Sequence, residues 1–313
     1  MINQRITNGY LNENVLSNLV TNRDKLIELQ RKIASGKEIE NASDNVFSAT
    51  TILNSNFSLG KIDVYLKNIN TAKSEIETAD KALLTTLDSV HKSRELTIQA
   101  LNATSGAEEM GIIGSQINQL LQQVKDIGNT QFGTKYIFGG QNTNSAPFSV
   151  PADGEIKYNG SSDGTPERDI EIAKSVTITM NIGGDELFGY YYEDPANPGT
   201  YLEQGLIGTL TTLKQELEGA QDKDVIRTKL EELDLELQGL LEAQSTFGGL
   251  LSRLEITQQL HKDDEINLTD VKSQVQDVDF AKTISDLQFQ ETALKASLQV
   301  SARVIQPSIL NYL

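Results

Sequence analysis

Two apolar stripes of seven-residue period constrain this chain more than any other feature. Ile62, Ile69, Ile76, Leu83 and Val90 form one, and Ile226, Leu233, Leu240, Phe247 and Leu254 form the other. A repeat of seven keeps one seam of a long helix turned toward a partner helix. Tyr65, Ala72 and Ala79 fill the second row of the first stripe, and Leu230, Leu237 and Leu251 that of the second. The stripes flank a block that holds Pro147, Pro151, Pro166, Pro195 and Pro198. The expected fold is therefore mainly α with an inserted β domain, in which the N- and C-terminal regions build a long antiparallel helical rod or coiled coil. Ile76 and Leu240 are expected in its core.

Punctuation residues divide the chain further. A first helix carrying Leu19, Leu26 and Ile33 stops at Ser35 and Gly36, the glycine suiting a left-handed cap. Ser43 or Asp44 is expected to cap the next helix, and Gly60 to weaken its passage into the first stripe. A third stripe, Ile113, Ile117, Leu120, Val124 and Ile127, follows the turn-like Thr104, Ser105 and Gly106. From Phe132 the pattern turns to β: Val176, Ile178 and Met180 alternate with threonines, and Asn159-Gly160 after Ile156 to Tyr158 reads as a hairpin signal. Tyr136, Tyr158, Tyr190, Tyr191, Tyr192 and Tyr201 are read as the aromatic core of that region, against the alternative of an exposed patch. Helical pattern resumes near Leu206. The expected domains are terminal assembly helices at 1–40 and 275–313, a rod at 41–131 and 205–274, and an independent β-rich insert at 132–204, dispensable for polymerisation.

Composition removes several classes of function. The 27 Lys and Arg stand against 44 Asp and Glu, a net charge of −17, which opposes nucleic-acid binding. With no cysteine there is no disulfide and no thiolate chemistry. No apolar run reaches the roughly 18 residues that membrane insertion needs, and Met1 to Tyr10 lacks the apolar core of a cleaved signal peptide. His91 and His261 are far apart in sequence; His91 reads as surface and His261 as a polar position in the second stripe that sets register. Asp263-Asp264-Glu265 lacks calcium-loop spacing, and Gly139-Gly140 lacks a phosphate-loop pattern. No catalytic, cofactor-binding or metal-binding set emerges, and an enzyme is not expected.

The ends differ from the body. Met1 to Ala34 hold five cations against three carboxylates, and Gln276 to Leu313 three against four. Such nearly neutral ends pack together without the repulsion of the acidic body. Leu19, Leu26, Ile33, Phe280, Ile284, Leu287, Leu294, Leu298 and Ile305 make apolar faces too narrow to be stable in isolated helices. They are expected to be the subunit-interaction residues. Residues 1–40 and 275–313 are expected to be mobile in the free subunit and to pair when neighbouring copies supply the missing surface.

Particular residues then carry a resemblance. Leu29-Gln30-Arg31-Lys32-Ile33-Ala34-Ser35-Gly36-Lys37-Glu38-Ile39 with Asn41-Ala42-Ser43-Asp44-Asn45 resembles the N-terminal motif of the flagellin superfamily. Asp277-Val278-Asp279-Phe280-Ala281 through Gln290, Thr292-Ala293-Leu294 and Ile309 to Leu313 resembles its C-terminal signature. Phe132-Gly133-Thr134-Lys135-Tyr136-Ile137-Phe138-Gly139-Gly140, followed by Pro147-Phe148, is similar to the segment that enters the variable domain in hook-associated members. The resemblance implies an extracellular structural subunit of the bacterial flagellum, exported through the flagellar type III channel with an export chaperone. It implies a ring of copies that joins another hook-associated protein to flagellin, and no enzyme activity or cofactor. Flagellin itself is the nearest rival. A coiled-coil type III secretion translocator would need membrane-seeking segments, and a helical-bundle enzyme would need polar groups converging inside the bundle.

Overall fold

The computed structural model describes residues 8–102, 106–150, 156–160, 169–179, 183–193 and 201–305. Seven helices occur among them: α1 (Asn8–Ser35), α2 (Val46–Asn102), α3 (Ala107–Gly128), α4 (Gly184–Phe188), α5 (Gly205–Glu218), α6 (Lys223–Gln276) and α7 (Phe280–Ile305). Eight short strands form four separate antiparallel pairs: β1 (Gln131–Phe132) with β2 (Lys135–Tyr136), β3 (Phe148–Ser149) with β4 (Lys157–Tyr158), β5 (Asp169–Ala173) with β6 (Val176–Thr179), and β7 (Tyr190–Glu193) with β8 (Tyr201–Gln204). The chain divides into two compact units, 1–61 with 263–313, and 62–262.

Local chemistry sets the breaks. Gly36 takes φ +71° and its N–H donates to the Lys32 carbonyl at 2.9 Å, the expected left-handed cap. The next cap differs from expectation, because Asn45 holds it. Its Oδ1 accepts from the Phe47 and Ser48 N–H groups, while Asp44 accepts from Glu40 and Asn41 and staples the loop. Those two backbone bonds hold the Asp44 carboxyl below its usual range. α2 runs straight through Gly60, where a Cβ would meet nothing within 4 Å. Asp279 Oδ1 accepts from Lys282 N at 3.1 Å and starts α7.

In the larger unit the two stripes behave as their period demands. Ile69, Ile76, Leu83 and Val90 are buried on α2, and Ile226, Leu233, Leu240, Phe247 and Leu254 on α6. Polar ties keep one antiparallel register along the pair. Arg94 Nε donates to Asp234 at 2.5 Å and Lys73 Nζ to Glu255 at 2.6 Å, positions 21 residues apart on each helix (94 to 73, 234 to 255). Gln258 to Asn70, at 2.6 Å, continues the progression three residues on. α5 is buried along most of its length through Leu206, Ile207, Leu210, Leu213 and Leu217. It packs on α3 at Gly114, where a Cβ would lie 3.3 Å from that of Leu217.

The region expected to be an independent insert is continuous with these helices. Phe138, Phe148, Ile156, Ile172, Ile178 and Phe188 belong to one apolar cluster with the buried side chains of α2, α3, α5 and α6. The two compact units divide at 61/62 and 262/263, points that α2 and α6 each run through without a break. Phenylalanines lead the aromatic core: Phe138 and Phe148 each meet the Phe188 ring edge-on, at 4.9 and 5.8 Å. Tyr191 is buried, and Tyr136 and Tyr190 are half-buried at the margin. Tyr158 donates its hydroxyl to the Phe138 carbonyl at 3.0 Å, and burial together with the nearby Asp185 pushes its phenol up to about 12. Among the described residues β4, which precedes Asn159-Gly160, pairs backward with β3 and not with β5. The tight turn is Lys174-Ser175, where Ser175 takes φ +60° between β5 and β6. Ile178 is buried while Val176 stays exposed; Met180 lies outside the described residues.

Candidate functional site: the terminal assembly surface

α1 and α7 pair antiparallel within the single chain. At their base Glu38 N donates to the Gln276 carbonyl at 2.7 Å and Val278 N to the Gly36 carbonyl at 3.1 Å. Along α1 the less exposed positions Val15, Leu19, Asn22, Leu26, Leu29 and Ile33 alternate in steps of four and three. Along α7 Thr283, Leu287, Gln290, Leu294, Ser297 and Ser301 do the same. The seam of α7 is thus largely polar, and Thr283 and Ser301 are its most buried members, at 5% and 4%.

This phase sorts the expected interaction residues into two groups. Leu19, Leu26, Ile33, Leu287 and Leu294 lie half-buried toward the seam. Phe280, Ile284 and Leu298 are turned outward, 49%, 43% and 51% exposed. Ile305 falls in α7, but its side chain is outside the described residues. The inward rows face one another within the single chain, and the outward row is left exposed. Three of the expected residues meet in one place: Leu19, Leu294 and Leu298, with Val20 and the Arg23 side chain, line a groove of about 280 Å³.

The whole terminal unit is built this way. Among the described residues, its fully buried apolar side chains are only Ala49, Ile52 and Val278. Its surface shows Tyr10, Leu16, Val20 and Ile27 on α1, Val46, Phe47, Leu53 and Phe57 on α2, and Phe289 and Val300 on α7 beside the three already named. Large apolar side chains gathered on a surface in contiguous patches mark sites that something covers.

Two further junctions, invisible to pattern reading, hold the larger unit in shape. His261 is 8% exposed, and its Nε2 lies 2.7 Å from the Ile172 carbonyl, so that nitrogen carries the proton. The ring stacks on Tyr65 at 5.4 Å, and Asn68 Nδ2 donates to the Glu171 carbonyl at 2.8 Å. The polar position in the stripe thus fastens the β5–β6 hairpin to α2 and α6. His91 is on the surface, as expected.

The second junction centres on Lys229, which is 6% exposed and donates to Glu203 at 3.0 Å and to Glu232 at 2.9 Å. Thr212 donates a short bond to Glu203, and Thr209 donates to Glu232 at 3.3 Å, so β8, α5 and α6 share one network. Burial opposes the charge on Glu203, but Thr212 and Lys229 outweigh it and hold the carboxyl below its usual range. Burial likewise opposes the Lys229 charge, and the two carboxylates hold the ammonium above its usual range. One turn further on, burial and then the Glu232 charge push Glu236 up. A carboxyl raised in the folded state disfavours folding once it ionises. Glu236→Gln is therefore expected to stabilise the protein at neutral pH, with the gain vanishing below the ordinary carboxyl range; denaturant midpoints across pH 4 to 8 measure it.

Among the described residues no helix is long and apolar enough to cross a membrane, and no group of three or more His, Cys, Asp or Glu side chains is placed to hold a metal ion.

Residues 6–143 match the family described as the bacterial flagellin N-terminal helical region. The flagellar hook-associated protein 3 of Escherichia coli (strain K12) is 25% identical over 278 residues, which cover 85% of this chain and 86% of that protein. A flagellin of Bacillus subtilis (strain 168) is 24% identical over 307 residues, 96% of each chain. The crystal structure of the flagellar junction protein FlgL from Legionella pneumophila superposes with a TM-score of 0.58 at 17% identity, covering 72% of this chain and all of that one. The matched N-terminal helices, the near full-length relatives and the shared helical framework agree that this chain resembles proteins of the flagellin superfamily.

Proposed function

We propose that this chain is the structural subunit that joins a hook-associated protein to the flagellin filament of a bacterial flagellum, working outside the cell as a ring of copies. The observation that carries the assembly role is the terminal unit, which among the described residues has almost no buried apolar core and shows outward apolar side chains on each of α1, α2 and α7. Burying such surface is the main favourable term in protein association, and near-neutral ends do not repel one another. Export unfolded through the flagellar type III channel, assisted by a chaperone, fits a chain without cysteine. The role is structural, without a catalytic step.

Immunogold labelling of purified flagella tests the location: a single band between hook and filament is required, and label along the whole filament would overturn the reading. The near full-length match to a flagellin favours one rival, and gene deletion separates the two. A missing junction subunit leaves flagellin synthesised and shed into the medium, whereas a missing flagellin removes the filament protein itself.

Leu298→Asp reads the surface directly. The side chain is half exposed, so the monomer's thermal midpoint should shift by no more than surface substitutions usually do. Incorporation should nonetheless fail, because a buried charge without a partner is costly at an interface. Hydrogen exchange at α1 and α7 should slow strongly on assembly; exchange already as slow in the free chain would make these helices ordinary folded structure.

A further inference from the structure

We propose that Asn22, Gln290 and Ser297 form a register-setting layer in the α1–α7 seam, and that this layer determines which apolar groove the terminal unit presents. The proposal deepens the assembly reading above and rests on it for its consequence, though not for its geometry. Asn22 Nδ2 donates to Ser297 Oγ at 3.0 Å, and Gln290 Nε2 donates to both the Asn22 carbonyl and its Oδ1, at 3.1 and 3.2 Å. Asn22 thus sits between two α7 positions one heptad apart, with all three side chains half-buried. Leucines at these positions would bury more apolar surface, so the layer sacrifices stability.

What it supplies is discrimination between registers, the best attested use of a polar residue in a helical seam. The backbone bonds at Gly36 and Glu38 pin only the base of the pair. Asn22 lies 14 residues along α1 from Gly36, roughly 20 Å away, where small differences in winding accumulate. A slip of three residues toward the α7 N-terminus would set Asn22 between Leu287 and Leu294. Its amide and that of Gln290 would then lose their partners in a half-buried seam, at about 1 to 3 kcal/mol for each group left unpaired. The aliphatic layers alone give no comparable penalty, because leucine packs against leucine in either register.

The groove depends on this choice. In the observed register Leu19 and Val20 stand level with Leu294 and Leu298. A slip of four residues brings Gln290 toward Leu19 in place of Leu294 and puts an amide in the groove wall. The polar layer, which is itself turned inward, therefore shapes the outward surface offered to the next copy.

The test exploits the absence of cysteine. Lys25→Cys and Lys282→Cys, both at exposed positions, carry spin labels in the full-length free chain, and the interlabel distance is measured by pulsed electron resonance. With the native layer a single narrow distance is expected. In the same labelled chain carrying Asn22→Leu and Gln290→Leu, a broadened or second distance is expected, displaced by roughly 6 Å for a four-residue slip, with thermal stability equal to or above the parent. An unchanged narrow distance in the leucine variant would overturn the proposal, as would a broad distribution in the parent. Loss of helicity in the variant would overturn it too, since the layer would then hold the pair together and not choose its register. These distances are read on the free chain, so their failure is distinct from failure of the junction assignment, which microscopy tests.

Discussion

Ile76→Ala is expected to destabilise the larger unit by about 2 to 5 kcal/mol, the range for truncating a fully buried aliphatic side chain. Ile76 is 1% exposed in the α2 seam, and Leu240, at 2% on α6, should behave alike. For a unit of this size the loss corresponds to about 2 to 4 °C in thermal midpoint per kcal/mol. Leu84, 45% exposed on the same helix, supplies the control. Leu84→Ala should stay within about 0.5 kcal/mol, because no cavity opens. Equal effects at Ile76 and Leu84 would refute the paired-helix core.

Lys229→Met is expected to cost about 2 to 3 kcal/mol. Breaking a fully buried ion pair costs about 3 to 5 kcal/mol, but the Glu203 and Glu232 side chains remain 42% and 37% exposed, and solvent screens part of the loss. The pH profile carries the signature. Glu203, held below its ordinary range, contributes stability above that range which is lost as acid protonates it. Lys229, held above its ordinary range, contributes stability below that range which is lost as alkali deprotonates it. Urea midpoints for the native protein should therefore fall at both extremes, and in Lys229→Met the alkaline fall attributable to this site should be absent. Adding Glu203→Gln and Glu232→Gln should recover most of the loss; no recovery would mean that Lys229 acts through packing alone.

Legibility followed the range of the interactions. The α2 and α6 stripes and the Gly36 cap were readable because seven-residue period and left-handed backbone are properties of neighbouring residues. Lys229 was not, since its burial depends on Glu203, a strand residue whose proximity arises only when β8 packs beside α5 and α6. Asn45 replaced Ser43 and Asp44 as the α2 cap because a single residue of slip in the helix start decides which side chain reaches the free N–H groups. On α7, counting apolar residues picked out Phe280, Ile284 and Leu298, whereas the partner helix selects the face holding Thr283, Gln290 and Ser301. A helix with one apolar row normally turns it inward; here the row outside is the richer one. The β5–β6 turn at Lys174-Ser175 carried no glycine signal, while the strand before Asn159-Gly160 pairs backward with β3.

The constant offset of the α2–α6 ties limits how such a chain can change length over evolution. Arg94–Asp234 and Lys73–Glu255 are separated by three whole heptads on both helices. Deleting seven residues from one arm alone would leave every tie beyond the lesion facing the wrong neighbour, and deleting any other number would also rotate the apolar row away from its partner. Tolerated indels in the arms should therefore come as compensated pairs, seven residues lost from each side together. The loops between strands carry no such coupling, so their lengths are free to drift while the arms keep count.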